Sequence, residues 1–266
     1  MSEASPRVAT WRVVGVVHLP ALPGSVRGGG AATLDGILDR ARRDALAYAD
    51  GGADALIVEN FGDVPFASGA VAPHTIAAMT RATAVLRETT GLPVGVNVLR
   101  NDVLGAVSVA AMAGGAFVRA NVYVGAAVTD QGLIEGRADE VQALIRQLGA
   151  PIAVWADVDV KHATALAPRP LGEIAEDAVE RGLAAAVIVT GRATGQPADP
   201  ADLAAVRAAV PATPLYVGSG VTEATLRDVL TVADGVIVGT AAKRDGDIGN
   251  SVDRVRVRAL VNAAGG

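Results

Sequence analysis

The chain has no cysteine, and aromatic residues make up only 3% of its 266 positions. Without cysteine there is no disulfide, thiolate nucleophile, cysteine-bound zinc or iron–sulfur cluster. Neither sign of charge dominates: 23 Lys+Arg stand against 28 Asp+Glu, a formal net charge of −5. Nothing in that balance suggests a dedicated nucleic-acid surface, and a nucleic-acid partner is not expected. Long apolar runs are also missing. The most apolar stretch, 103–118, falls short of the roughly 20 residues of a membrane span and contains Gly105, Ser108, Gly114 and Gly115. Residues 1–11 lack the basic region and cleavage pattern of a signal peptide. They are expected to form a flexible leading segment, without a transmembrane anchor, on a cytoplasmic protein.

What is present is aliphatic. Hydrophobic residues reach 51%, with 31 glycines and few large rings among them. Eight apolar runs, at 12–19, 54–60, 93–99, 116–122, 151–157, 185–190, 214–218 and 235–239, are dominated by Val and Ile. Continuous rather than alternating, they read as parallel strands buried on both faces. Segments with helical spacing separate them. In 33–49, Leu34, Ile37, Leu38, Ala41, Ala45 and Tyr48 recur at three and four residues, and Thr33 can cap the start. Further helices are predicted at 73–89, 102–113, 138–148, 171–181, 201–209, 222–230 and 251–263. Glycines at 51–52, 91, 114, 149 and 182 mark helix exits.

Eight such units predict a single (β/α)8 TIM barrel spanning 12–266. An open doubly wound sheet would carry a GxGxxG turn after the first strand, which is absent. In a barrel, the residues just after each strand share the C-terminal face, where active sites are built. Those positions include His18, Glu59, Asn60, Asn97, Arg100, Arg119, Asn121, Asp157, Asp159, Lys161, His162, Arg192, Ser219, Thr240 and Lys243.

Two glycine-containing turns, Gly218-Ser219-Gly220 and Gly239-Thr240, follow the last two strands. Barrels place phosphate sites there, because backbone N–H groups can approach an anion closely. A phosphorylated small molecule is the expected ligand, with Asn97, Arg119, Asn121 and Arg192 as further binding residues. Glu59, Asp157, Lys161 and His18 are the candidates for acid–base or covalent work. A partly desolvated lysine can form a Schiff base; Lys161 can equally be a phosphate counter-charge or a surface cation. The carboxylates of Glu59, Asp157 and Asp159 could instead hold a divalent metal such as magnesium, the one cofactor the residues suggest. The sequence does not choose between these uses. The polar loop 125–136 and the loop 191–200 are candidate lids.

Several of these motifs occur together in one known family. Val14-Gly15-Val16-Val17-His18-Leu19-Pro20, Val58-Glu59-Asn60-Phe61-Gly62-Asp63, Gly95-Val96-Asn97-Val98-Leu99-Arg100-Asn101-Asp102 and Phe117-Val118-Arg119-Ala120-Asn121 resemble the BtpA family. Thr129-Asp130-Gln131-Gly132-Leu133-Ile134-Glu135-Gly136, Asp157-Val158-Asp159-Val160-Lys161-His162 and Gly218-Ser219-Gly220-Val221-Thr222 extend the resemblance over roughly residues 12–262. It implies a barrel that is either an enzyme of unassigned activity or a factor for photosystem I biogenesis, since the family includes both kinds of protein. The expectation is a lyase, isomerase or aldolase acting on a phosphorylated sugar or nucleoside-like molecule, assembled as a homo-oligomer. The alternatives are a non-catalytic biogenesis or stability factor for a membrane complex, and a metal-assisted hydrolase.

Overall fold

The computed structural model describes residues 10–28, 33–158, 163–191 and 197–265. Eight parallel strands close into a barrel, as the repeat predicts. In chain order the strands are β1 (Val13–His18), β2 (Ala55–Glu59), β3 (Val94–Asn97), β4 (Phe117–Ala120), β5 (Ala126–Thr129), β6 (Gly132–Glu135), β7 (Ala153–Asp157), β8 (Ala163–Ala165), β9 (Ala186–Val189), β10 (Leu215–Val217) and β11 (Gly235–Val238). The barrel runs β1-β2-β3-β4-β7-β9-β10-β11 and returns to β1, while β6-β5-β8 form a separate antiparallel sheet. The helices are α1 (Leu34–Gly51), α2 (Pro73–Thr90), α3 (Val103–Ala113), α4 (Ala138–Leu148), α5 (Leu171–Glu176), α6 (Pro200–Ala209), α7 (Leu226–Val229) and α8 (Arg254–Ala263). Among the described residues no helix is long and apolar enough to cross a membrane.

Each barrel strand alternates between two apolar layers, which is why its sequence reads as continuously hydrophobic. One set of side chains faces the helices. The other fills the barrel, where Val14, Val16, Ala55, Ile57, Phe117, Trp155, Ala186, Ile188, Tyr216 and Ile237 form a cluster of their own. At its lower end Trp155 stacks between Phe117 and Tyr216, with ring centroids 4.1 Å away on each side. Trp11 closes the stack, 5.5 Å from Phe117 and 5.6 Å from Trp155. Half of the chain's eight aromatic rings are thus spent plugging one end of the barrel. Trp11, placed with the leading segment on sequence grounds, is part of that plug.

Thr33 caps α1 by accepting from Gly36 N–H, as its position suggested. Helices α1 to α4 each end on a left-handed glycine, at Gly52, Gly91, Gly114 and Gly149. The exit at 181–184 departs from that rule. There Gly182 keeps a right-handed conformation and Leu183 takes the positive φ, after α5 widens into a π-type turn over Asp177–Arg181. Two predicted helices are shorter than expected. Only Leu226–Val229 of 222–230 is α-helical, and α8 begins at Arg254 rather than near 251.

The candidate lid 125–136 is a hairpin, β5 paired with β6 through Thr129↔Gly132. Its Asp130-Gln131 turn carries no Asn-Gly or Asp-Gly signal, so local sequence did not announce it. Thr129 Oγ1 supplies the closure, donating to Gly132 O at 3.0 Å and accepting from Gln131 N at 3.1 Å. Of the other candidate lid, residues 192–196 lie outside the described residues, as do residues 1–9 of the leading segment.

Candidate active site at the barrel mouth

Strand register brings the polar residues together. His18, Glu59 and Asn97 are direct partners across β1, β2 and β3. The alternation that buries Val16, Ile57, Phe117 and Trp155 inside the barrel puts His18, Glu59, Arg119 and Asp157 two residues further up, at its mouth. The same step on β10 and β11 reaches Gly218 and Gly239. A mouth layer that is polar on one side and glycine on the other therefore sits directly on an apolar filling.

The polar side is one chain of hydrogen bonds. Asn97 Nδ2 donates to Glu59 Oε1 at 3.0 Å, and Arg119 Nη1 reaches the same oxygen at 3.4 Å. Arg119 then grips Asp157 with two parallel bonds, Nε to Oδ1 at 3.0 Å and Nη2 to Oδ2 at 3.1 Å. Asn121 Nδ2 completes the chain on Asp157 Oδ2 at 2.8 Å. Glu59, Asn97, Arg119, Asn121 and Asp157 are all buried. Burial alone would lower the Arg119 pKa, but the charges of Asp157 and Glu59 outweigh it and hold the guanidinium above its ordinary value. Arg100, also in the wall, is pulled below its ordinary value by burial, against the attraction of Asp157 and Asp130.

Glu59 differs from Asp157 in what remains available. Both oxygens of Asp157 are engaged by Arg119 and Asn121, whereas Glu59 Oε2 lies 3.9 Å from His18 Nε2. The His18 ring is set by an edge contact with Phe61 at 4.8 Å between centroids. Gly239 gives that ring its room: a Cβ there would stand 2.7 Å from His18 Cε1.

All of these residues line a cavity of about 760 Å³, ample for a small-molecule substrate. Its opposite wall holds Gly218, Ser219, Gly220, Gly239 and Thr240, the two turns expected there. Neither turn opens directly into a long helix. The first is separated from the four-residue α7 by the turn 222–225, and the second enters a single tight turn, Thr240–Ala242. Ser219 Oγ accepts from Gly191 N at 2.9 Å, tying the loops after β9 and β10 together. Arg256, from the first turn of α8, also lines the cavity, its Nε donating to Ala241 O at 2.9 Å. Sequence reasoning missed Arg256 because it looked only at strand ends.

Other strand-end residues turn out to clamp loops. Asn60 Oδ1 accepts from Leu99 N at 2.7 Å and its Nδ2 donates to Asp63 Oδ2 at 3.1 Å, while Asp63 Oδ1 accepts from Leu22 N at 2.7 Å. The loops after β1, β2 and β3 are thereby joined. Lys243 is turned away from the mouth and fully buried, donating to Asp44 Oδ2 of α1 at 2.8 Å. Lys161, Asp159, His162 and Arg192 lie outside the described residues. Among the described residues no three His, Asp or Glu side chains are grouped to hold a metal ion. Three of the four oxygens of Glu59 and Asp157 are already committed to Arg119, Asn97 and Asn121.

Comparison with known proteins agrees with this architecture. The profile described as the BtpA family matches residues 10–266. The photosystem I biogenesis protein BtpA of Synechocystis sp. is 43% identical over 251 residues, covering 94% of this chain and 87% of that protein. An uncharacterized protein of Thermococcus kodakarensis is 44% identical over 255 residues, covering 95% and 94%. Among solved structures, orotidine 5′-phosphate decarboxylase of Pyrococcus horikoshii superposes with a TM-score of 0.58 at 17% identity, covering 96% of this chain and 99% of that one. At that identity the likeness is one of fold.

Proposed function

We propose, for a chain that belongs to the BtpA family, an enzyme of the lyase or isomerase type acting on a phosphorylated small molecule held across the barrel mouth. The observation that carries this reading is the pairing of Glu59 Oε2 with His18 Nε2 at 3.9 Å above a carboxylate whose other oxygen is pinned by Asn97 and Arg119. A proton can be taken by one group and returned by the other without either side chain leaving its place. Arg119 and Arg100, close beside Glu59 and Asp157, can stabilise negative charge developing on the substrate.

The phosphate is assigned to the two glycine turns and to Arg256. Support comes from the absence of a Cβ at Gly218, Gly220 and Gly239, from the cation, and from the frequency with which barrels bind phosphate after their last two strands. The name of the Pyrococcus relative in fold, a 5′-phosphate decarboxylase, agrees with that assignment. Asp157 enters as the residue that positions Arg119. Lys161 remains a candidate for a Schiff base or counter-charge, and borohydride trapping with carbonyl substrates distinguishes the two.

Thermal shift tests the binding half: inorganic phosphate, sugar phosphates and nucleotides at millimolar levels should raise the melting temperature through binding to the folded state. No shift with any of them would remove the phosphate reading. Once a turned-over substrate is found, Glu59→Gln should keep binding and lose turnover.

The name of the Synechocystis relative supports a second reading, a biogenesis or stability factor for a membrane complex. That role would work through the outer helices and tolerate Glu59→Gln. Loss of the partner complex on that substitution would favour the enzyme.

A further inference from the structure

Above its polar floor the mouth cavity has an apolar rim that is open to solvent. Phe61, Val64, Phe66, Ile248 and Ala259 are half-buried and Val255 is 71% exposed, and all of them line the cavity. None joins an apolar core cluster among the described residues. The chain has only three phenylalanines, and Phe117 is spent on the plug at the other end of the barrel. The other two stand on the loop after β2. An accessible apolar wall of this kind, held apart from the core, is the mark of a ligand groove.

The loop that carries both rings is pinned at each end. Asn60 and Asp63, on either side of Phe61, accept from Leu99 N and Leu22 N, and further on Val71 N donates to Asp102 Oδ2 at 2.9 Å. Phe61 also touches the His18 ring, 4.8 Å between centroids, whereas Phe66 has no ring contact among the described residues. Strands β11, β1 and β2 are consecutive around the barrel, so this loop and the 248–259 segment flank the end of β1 from its two sides. The two glycine turns follow β10 and β11, in the adjoining sector. A group resting on Phe61 therefore stands beside the imidazole and within one molecule's length of the turns. The side chains of the rim offer no hydrogen-bond donor or acceptor, so a hydroxyl or charge pressed against them would lose water and gain nothing. Two phenyl rings favour a flat partner, because ring-to-ring contacts add to what burial alone supplies.

We infer that the substrate carries, besides its phosphate, a planar aromatic or heteroaromatic ring seated against Phe61 and Phe66. The phosphate end rests on the function proposed above; the ring end rests on the apolar rim alone. A cavity of about 760 Å³ holds a molecule with both parts.

Calorimetric titration of the full chain with methyl, cyclohexyl and phenyl phosphate tests this, with benzyl alcohol as a phosphate-free ring followed by saturation-transfer NMR. Phenyl phosphate should bind at least about tenfold more tightly than methyl phosphate, the effect of burying a phenyl group. It should also bind more tightly than cyclohexyl phosphate, which is of similar size but puckered. Phe61→Ala and Phe66→Ala should each shrink the phenyl-to-methyl ratio. Equal binding of phenyl and methyl phosphate, or an unchanged ratio in both variants, overturns the ring assignment and leaves the phosphate site standing. Cyclohexyl phosphate binding as tightly as phenyl phosphate overturns the planar ring. Binding of benzyl alcohol that is lost in Phe66→Ala, with no binding of any phosphate, supports the ring assignment and overturns the phosphate site. No binding by any probe overturns both. Should Phe61→Ala fail to fold, Phe66→Ala decides the matter, since Phe66 is half-buried and outside the core clusters.

Discussion

Arg119 and Asp157 meet edge on, Nε to Oδ1 at 3.0 Å and Nη2 to Oδ2 at 3.1 Å, with 8% and 0% of their side chains exposed. A planar fork against a carboxylate is a fit that a lysine cannot reproduce. Asp157→Ala leaves the guanidinium buried beside Glu59 alone and should destabilise the fold by about 3–5 kcal/mol. Arg119→Lys should also lower the melting temperature despite keeping the charge, because Asp157 and Glu59 then compete for one ammonium group. Thermal or urea unfolding measures both, and natural stability in Asp157→Ala would show that the pair is dispensable.

The second buried pair lies outside the mouth. Lys243 has no exposed side-chain surface and Asp44 has 2%, and Asp44 also accepts from Val252 N at 2.9 Å. Burial pulls the Lys243 pKa down, and the bond to Asp44 resists that pull. Asp44→Ala should cost about 3–5 kcal/mol, whereas the double change Asp44→Ala with Lys243→Met should recover part of the loss by removing the unpaired cation. A double-mutant cycle by denaturant unfolding reads the coupling; additive losses would show that the pair does not act as a unit.

Gly239→Ala tests whether the mouth is built around the imidazole. The new methyl would stand 2.7 Å from His18 Cε1, so the ring must swing away from Glu59. Stability should fall by only about 1–3 kcal/mol, the usual cost of overpacking. Ligand-dependent activity should fall much further. His18 chemical shifts by NMR report the displacement, and an unmoved ring with full activity would remove His18 from the proposed proton-transfer pair.

All three tyrosines of the chain are buried, and all three have raised pKa values. Burial is the main cause at each, and it pushes Tyr123 and Tyr216 up to about 12 from an ordinary 10.0, with Tyr48 higher still. Between those values the unfolded chain has lost the phenolic protons that the folded chain keeps, so the tyrosine contribution to stability falls as pH rises through 10 toward 12. Folded protein should show almost no phenolate absorbance at pH 10, and denatured protein should be half titrated there. Equal titration in the two states would contradict the burial.

The barrel was legible because its signals are local. Apolar period, capping Thr33 and the glycine exits at 52, 91, 114 and 149 each act within a few residues of chain. The site was legible as a set of strand ends, and His18, Glu59, Asn97, Arg119, Asn121 and Asp157 do converge. Their roles were not. Glu59 ends β2 and Asn60 follows it directly, so the two look equally functional, yet Glu59 turns into the mouth while Asn60 holds Leu99. Asp157 and Glu59 are both strand-end carboxylates, and only partners distant in sequence make one of them fully engaged and the other half free.

By itself, then, the sequence determined the eightfold repeat, the layering of aliphatic residues and the face on which polar groups gather, since period and capping are properties of short segments. Tertiary structure decided which polar groups touch: Arg119 against Asp157 across β4 and β7, Lys243 carried off to Asp44, and Arg256 brought in from the last helix to line the cavity. The physical reason is that a hydrogen bond is settled over about 3 Å of space, and only closure of the barrel brings residues from distant strands within that reach.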